Sequence, residues 1–146
     1  MRYPEHLIAD MRADLVRYGV EETKTPEAVD AVLAPGSGTV LMVVNSYCGC
    51  AAGKARPALG MALRGDSVPQ KAATVFAGGD VEATSHLREQ YLADYDPSSP
   101  SIALFQDGKP VFYLHRREIE TRTAMELTQV LREAFAQHCT QPSLQK

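Results

Sequence analysis

The sequence predicts an α/β fold with a central four-stranded mixed sheet, flanked by helices and preceded by extra N-terminal helices. Three observations predict it. Thr39 to Val44 (TVLMVV) is an uninterrupted, β-branched apolar run, which suits a strand buried on both faces of a parallel sheet. Helical patterns alternate with this run and with a second apolar run at Lys71 to Ala77, as a right-handed parallel crossover requires. Near the C-terminus, Gln106-Asp107-Gly108-Lys109-Pro110 separates two further apolar runs, and Asp-Gly in that position signals a hairpin.

The elements follow in order. Leu7, Ile8, Met11, Leu15 and Val16 recur at helical spacing, with Pro4 fit for a first turn and Gly19 for a stop. A second helix starts with Thr25 as cap and Pro26 at the first helical position, runs through Val29 and Val32, and ends at Pro35-Gly36-Ser37-Gly38. After the first strand, Asn45-Ser46-Tyr47 leads into Cys48-Gly49-Cys50, and Ala51 to about Arg64 reads as a helix that Pro57 should kink. The Lys71 to Ala77 strand closes at Gly78-Gly79, and Asp80 is placed to cap a helix over Val81 to about Leu92. Ser101 to Phe105 and Val111 to His115 form the hairpin, with Arg116 and Arg117 as charges that close its edge strand. The last helix, about Thr123 to His138, puts Leu127, Val130, Leu131, Ala134 and Phe135 on one face. No linker separates domains, so residues 1–146 are expected to form one domain, with 1–35 as a helical extension packed on it.

Composition narrows the function. The chain has 146 residues, 45% hydrophobic and 23% charged, which is the make-up of an ordinary globule with a sizeable core. Fifteen Lys and Arg against eighteen Asp and Glu give a net charge of -3, which argues against a nucleic-acid partner. No apolar run approaches the ~20 residues of a spanning helix, and charges interrupt the first twenty residues, so neither a membrane partner nor a secretory leader is expected. The cytoplasm is the expected compartment. Three cysteines are too few for a disulfide scaffold. In a reducing compartment, two that lie close together point to redox chemistry or metal binding.

Cys48 and Cys50 sit where a buried strand gives way to a helix. Unpaired N–H groups and the helix dipole favour an anion there, and so lower a thiol's pKa. Cys48, on the loop side, is expected to be the more exposed and to attack; Cys50, one turn in, is expected to resolve. Residues i and i+2 of a helix point about 200° apart, so a Cys48–Cys50 bridge should be strained and easily reduced, with Gly49 absorbing the distortion. The pair also fits half of a soft-metal or iron–sulfur site, which needs about four ligands. Cys139 and the histidines at 6, 86, 115 and 138 show no finger-like spacing to complete it within one chain. Ser99-Pro100 precedes a core strand, where a cis peptide bond is expected, with the Ser99 backbone placed to pair with a substrate chain beside Cys48. Lys54 and Arg64 read as solvated helix positions. Arg56 is fit either to contact the N-terminal helices or to meet a carboxylate of a small thiol. Cys139 reads as a half-buried thiol at a helix end.

This element order is that of the thioredoxin-like architecture. The segment Asn45-Ser46-Tyr47-Cys48-Gly49-Cys50-Ala51-Ala52-Gly53-Lys54-Ala55-Arg56-Pro57 resembles the signature of the bacilliredoxin family, thioredoxin-like proteins with a CGC motif. Thr25 to Val29, Gly38-Thr39, Pro100 to Phe105 and His115 to Ile119 fit the same pattern, so the resemblance covers most of the chain. It implies thiol–disulfide exchange with Cys48 as nucleophile, removal of bacillithiol from client proteins, and disulfide isomerase activity. It implies no cofactor beyond the cysteines themselves, with a low-molecular-weight thiol as co-substrate. The supporting residues under this reading are Gly49, Arg56, Ser99 and Pro100.

Overall fold

The computed structural model describes residues 2–139. Its centre is strand β2 (Thr39–Asn45), every residue of which is buried. The reason lies in the pleat. Leu41 and Val43 enter one core with Leu15, Leu59, Ile102, Leu131 and Phe135, while Val40, Met42 and Val44 enter a second with Val29, Val32, Val75, Leu87 and Phe105. The first core lies under α1 (Glu5–Val16), α3 (Arg56–Ala62) and α6 (Ala124–His138). The second lies under α2 (Pro26–Val32) and α4 (Val81–Gln90). An unbroken apolar run was the signal of exactly this two-sided burial, and β2 has it.

The sheet has five strands in the order β1-β3-β2-β4-β5, one more than expected. Strand β3 (Lys71–Phe76) is parallel to β2, and β4 (Ser101–Gln106) and β5 (Lys109–Leu114) are antiparallel additions. The extra strand β1 is Glu21–Glu22, parallel to β3. Two glutamates at a sheet edge carry no apolar period, so nothing in their pattern marks a strand. The hairpin turn is as expected. Asp107 and Gly108 both have positive φ (51° and 84°), the two-residue turn whose twist matches the strands.

Other expectations are corrected. Leu7 and Val16 do not join the buried face of α1; the apolar period there is Ile8 and Leu15, with Arg12 buried between them. Asp80 precedes α4 but its carboxylate does not cap it. It accepts hydrogen bonds from the Phe76 amide and from both terminal nitrogens of Arg12 (2.8 and 3.0 Å). Pro57 does not kink a continuous α-helix. A π-helical segment, Ala51–Ala55, precedes α3, and Pro57 lies in the first turn of α3, where its missing N–H costs nothing. The edge strand ends at Leu114. His115 caps a short helix, α5 (Arg116–Glu120), so Arg116 and Arg117 sit in a first helical turn rather than closing a strand. No helix among the described residues is long and apolar enough to cross a membrane.

Candidate active site

The site is built where the polypeptide leaves the C-terminal end of β2. Val44 pairs with Ser101 across the β2–β4 ladder, so the peptide bond before β4 comes to the same end of the sheet as Cys48. That bond, Ser99-Pro100, is cis, as expected from the sequence. Pro100 is buried and Ser99 half-buried.

The loop between strand and cysteine is held by Asn45 and Arg56. The Asn45 side chain donates to the Met11 carbonyl of α1 (3.1 Å) and accepts from the Ser46 amide (2.9 Å) and from Arg56 Nη1 (3.0 Å). Arg56, 5% exposed, also donates to the Ser46 carbonyl (3.0 Å), and its Nε lies 3.3 Å from Asp14 of α1. Of the two uses the sequence left open for Arg56, the structure shows the contact with the N-terminal helix. The next residue in the chain of support is Ser46, whose hydroxyl accepts from the Cys48 amide (3.3 Å). Tyr47, 44% exposed, stacks on Tyr3 of the N-terminal segment with ring centroids 5.0 Å apart.

The two thiols face each other, Sγ to Sγ at 3.1 Å. The expected divergence of their side chains does not occur, because helical structure starts only at Gly49 and Cys48 lies outside it. Both are half-buried. What distinguishes them is their hydrogen bonding. Burial alone would raise the Cys48 pKa; hydrogen bonds from the Ser46 hydroxyl, the Cys50 thiol and the Ala51 and Cys50 amides outweigh it and hold the thiol below its ordinary value. Cys50 moves the other way. Burial raises it, and so do its hydrogen bond to Cys48 and the charge that collects there, while Arg116 opposes both. Cys48 is therefore the first of the pair to lose its proton, and Cys50 the one that keeps it longer.

Arg116 is the residue that periodicity missed. Its amide donates to Ser98 Oγ (3.0 Å), its Nη1 reaches within 3.5 Å of the Ser99 carbonyl, and its Nε lies 3.4 Å from Glu120. The signal was present in a weak form, since Glu118 stands three residues after His115 at the spacing of a capping box. Lys54 is not simply solvated either: its ammonium donates to the Glu120 carbonyl and ties the π-helical segment to α5. Arg64 is exposed, as expected. Cys139 is more deeply placed than expected, at 1% exposure inside the first core, where burial raises its pKa and removes it from the site. Among the described residues, no three His, Cys, Asp or Glu side chains cluster as a metal site would require.

Fold and site together define a thioredoxin-fold protein with a vicinal dithiol. Among solved structures, the chain resembles a putative oxidoreductase with a thioredoxin fold (TM-score 0.58, 13% identity, 75% of this chain and 91% of that one). It also resembles thioredoxin O2 from Arabidopsis thaliana in its oxidised state (TM-score 0.51, 16% identity, 82% and 96%). Residues 3–139 match the Disulphide isomerase family. Bacilliredoxins from Koribacter versatilis (47% identity over 94% of each chain), Bacillus cereus (46%, over 94% of this chain and 95% of that one) and Salinibacter ruber (45%, 96% and 82%) are relatives. The chain belongs to the bacilliredoxin family, a family of thiol–disulfide oxidoreductases.

Proposed function

We propose that the protein reduces mixed disulfides between client proteins and a low-molecular-weight thiol of the bacillithiol kind, with Cys48 attacking and Cys50 resolving. The observation that carries this reading is the unequal treatment of two sulfurs 3.1 Å apart, one held as the better thiolate and the other holding the proton.

The chemistry balances as follows. The Cys48 thiolate attacks the small-thiol sulfur of the mixed disulfide, and the client leaves as a thiolate. The Cys50 thiol loses its proton and attacks Cys48 Sγ. A Cys48–Cys50 disulfide forms, and the small thiol leaves and takes up a proton. Two electrons pass from the dithiol to the mixed disulfide, and no cofactor other than the cysteines takes part. A client chain docks along the Ser99 backbone beside cis-Pro100, and Gly49 gives the backbone freedom to close the bridge. In isomerisation Cys48 attacks a client disulfide, a second client thiolate then attacks the client sulfur of that mixed disulfide, and Cys48 leaves as a thiolate, with no net change in oxidation state. The reducing cytoplasm is the compartment in which this dithiol is replenished.

The test is mass spectrometry of single-cysteine variants after exposure to a client carrying the mixed disulfide. Cys50→Ala should strip the client and accumulate one small thiol on Cys48, because nothing remains to expel it, whereas Cys48→Ala should leave the client untouched. An adduct on the Cys48→Ala chain, with the Cys50→Ala chain inert, reverses the roles and sinks the reading.

A further inference from the structure

The segment that leads into cis-Pro100 is held from α4. Arg88 Nη2 donates to the Ser98 carbonyl at 3.0 Å, two residues before the proline. Arg88 is half-buried. Among the described residues that carbonyl is its one hydrogen-bond partner, and no carboxylate pairs with it. The other arginines of this corner are treated differently: Arg2 meets Glu82, Arg12 meets Asp80 and Glu5, Arg116 meets Glu120, and Arg117 lies beside Asp96. A guanidinium carries five donors in a fixed fork, and a strut to one carbonyl uses one of them. Burying a cation without a counter-ion is unfavourable, and burial lowers the pKa of Arg88 accordingly.

Arg88 lines a cleft of about 210 Å³ with Gly78, Val81, Thr84 and Ser85. Val81, Ser85 and Arg88 recur at i, i+4 and i+7, so they share one face of α4. The Thr84 hydroxyl is spent on the Asp80 carbonyl (2.7 Å), whereas Ser85 is exposed. Both ends of the cleft join the dithiol site. At one end the Gly78 carbonyl accepts from the Tyr3 amide (2.7 Å), and Tyr3 stacks on Tyr47, the residue before Cys48. At the other, Arg88 holds Ser98, the residue before Ser99 and the cis-proline.

Resting on the reading that Cys48 attacks a mixed disulfide, we propose that this cleft is a carboxylate subsite of the active site, in which Arg88, with the Ser85 hydroxyl beside it, receives an anionic group carried by the disulfide that Cys48 opens. A carboxylate is the chemical match, because its two oxygens accept from two donors of one guanidinium. The acidic side chains that would repel it are engaged: Glu82 with Arg2, Asp80 with Arg12, and Asp96 near His115 and Arg117. Glu89 is exposed and lies about 100° round the helix from Arg88. The carboxylate belongs either to the small thiol or to an acidic side chain next to the client's cysteine. The chemistry is the same, and the test separates the two sources.

The experiment uses the full chain, reduced, and two matched pairs of thiopyridyl disulfides. One pair is glutathione and its diethyl ester; the other is a cysteine peptide flanked by glutamate and the same peptide flanked by glutamine. Attack by Cys48 releases pyridine-2-thione, whose absorbance gives a second-order rate constant for each probe. Buried Cys139 stays out of the reaction. In at least one pair the wild type should prefer the carboxylate about fivefold, and Arg88→Gln should bring that preference below about twofold. Arg88→Lys, which keeps the charge but not the fork, should retain part of it. Arg64→Gln, which removes the same charge beyond the far end of α3, should retain all of it. A loosened Ser98 segment slows both members of a pair alike and leaves their ratio intact, so the ratio reads the subsite.

A preference in the glutathione pair alone assigns the cleft to the small thiol, and one in the peptide pair alone assigns it to the client. No preference in either pair, one that Arg88→Gln leaves intact, or one that Arg64→Gln removes equally overturns the inference. The cysteine variants keep the two readings apart. If Cys50→Ala releases the thione from the uncharged probes and Cys48→Ala does not, attack by Cys48 stands whatever Arg88 does. If Cys48→Ala releases it, the assignment of roles fails and the inference fails with it.

Discussion

Replacing Arg56 tests whether the buried support beneath the cysteine loop is what holds it. Arg56→Ala removes two hydrogen bonds from a charged, buried donor, to Asn45 Oδ1 and to the Ser46 carbonyl, each 3.0 Å long. Bonds of this kind contribute ~1.5–3 kcal/mol each. The nearby Asp14 adds little, because its side chain is a third exposed and Arg56 Nε, though 3.3 Å from it, makes no aligned hydrogen bond. Asn45 Oδ1 keeps the Ser46 amide, so the Ser46 carbonyl is the group left without a partner. Together these losses amount to ~3–5 kcal/mol, the usual cost of removing one member of a buried polar network.

At about 3 °C per kcal/mol for a chain of this size, the reduced protein should melt roughly 10–15 °C lower. Arg56→Lys should recover less than half, because both bonds come from Nη1 at the tip of the longer side chain, and a lysine ammonium stops short of that position. The assay is thermal unfolding followed by circular dichroism. It should be paired with the iodoacetamide reaction of Cys48, since loosening Ser46 removes the hydroxyl that supports the thiolate. A fall in melting temperature under ~3 °C, with an unchanged alkylation rate, refutes the argument that Arg56 organises this loop.

Three further outcomes are expected. The alkylation midpoint of Cys48 should lie below the ~8.5 of a free cysteine and move up in Ser46→Ala. Because this acid is depressed in the folded state, its stabilisation is complete above the unfolded midpoint and lost as pH falls through the folded one, so the melting gap between reduced wild type and Cys48→Ser should widen from neutral to alkaline pH. Gly60→Ala should lower the melting temperature by about 3 °C despite the better helix former. An added Cβ would lie 2.5–2.8 Å from three ring carbons of Tyr18, and overpacking of about 2 kcal/mol outweighs a propensity gain of ~1 kcal/mol; an unchanged or higher value contradicts the close approach of Tyr18 to α3.

Much of this was legible in the sequence where a local rule has a single structural solution. The run TVLMVV has few fates other than a two-sided central strand, and Asp107-Gly108 few other than a tight hairpin turn. Ser99-Pro100 became legible only in combination, since an isolated proline carries no isomer and the strand order supplied it. What failed depended on partners distant in sequence. Asp80 looks like a cap, but its carboxylate is taken by Arg12, 68 residues away, and by Phe76. Arg12 fell on the buried face of α1 against every expectation for an arginine, because Asp80 and Glu5 were there to receive it.

The site divides along the same line. The cysteines and their strand–helix junction were readable because the chemistry lies in adjacent residues. The direction of the proton between them was not, because it is set by hydrogen bonds that no spacing encodes: the Ser46 hydroxyl, the Cys50 and Ala51 amides, and the exchange between the sulfurs themselves. The helix-dipole argument reached the correct sign for Cys48 but assigned both residues to one helix, and so expected sulfurs that diverge. Placing Cys48 one residue before helical structure starts lets both sulfurs meet while the amides still point at one of them. Arg116 went unread for a related reason. A histidine cap is an uncommon start signal, so the pattern reads as strand through His115, which puts Arg116 on a sheet edge instead of in the first turn of α5. One misplaced boundary thus removed from view the guanidinium that reaches the Ser99 carbonyl beside cis-Pro100 at the cysteine end of the sheet.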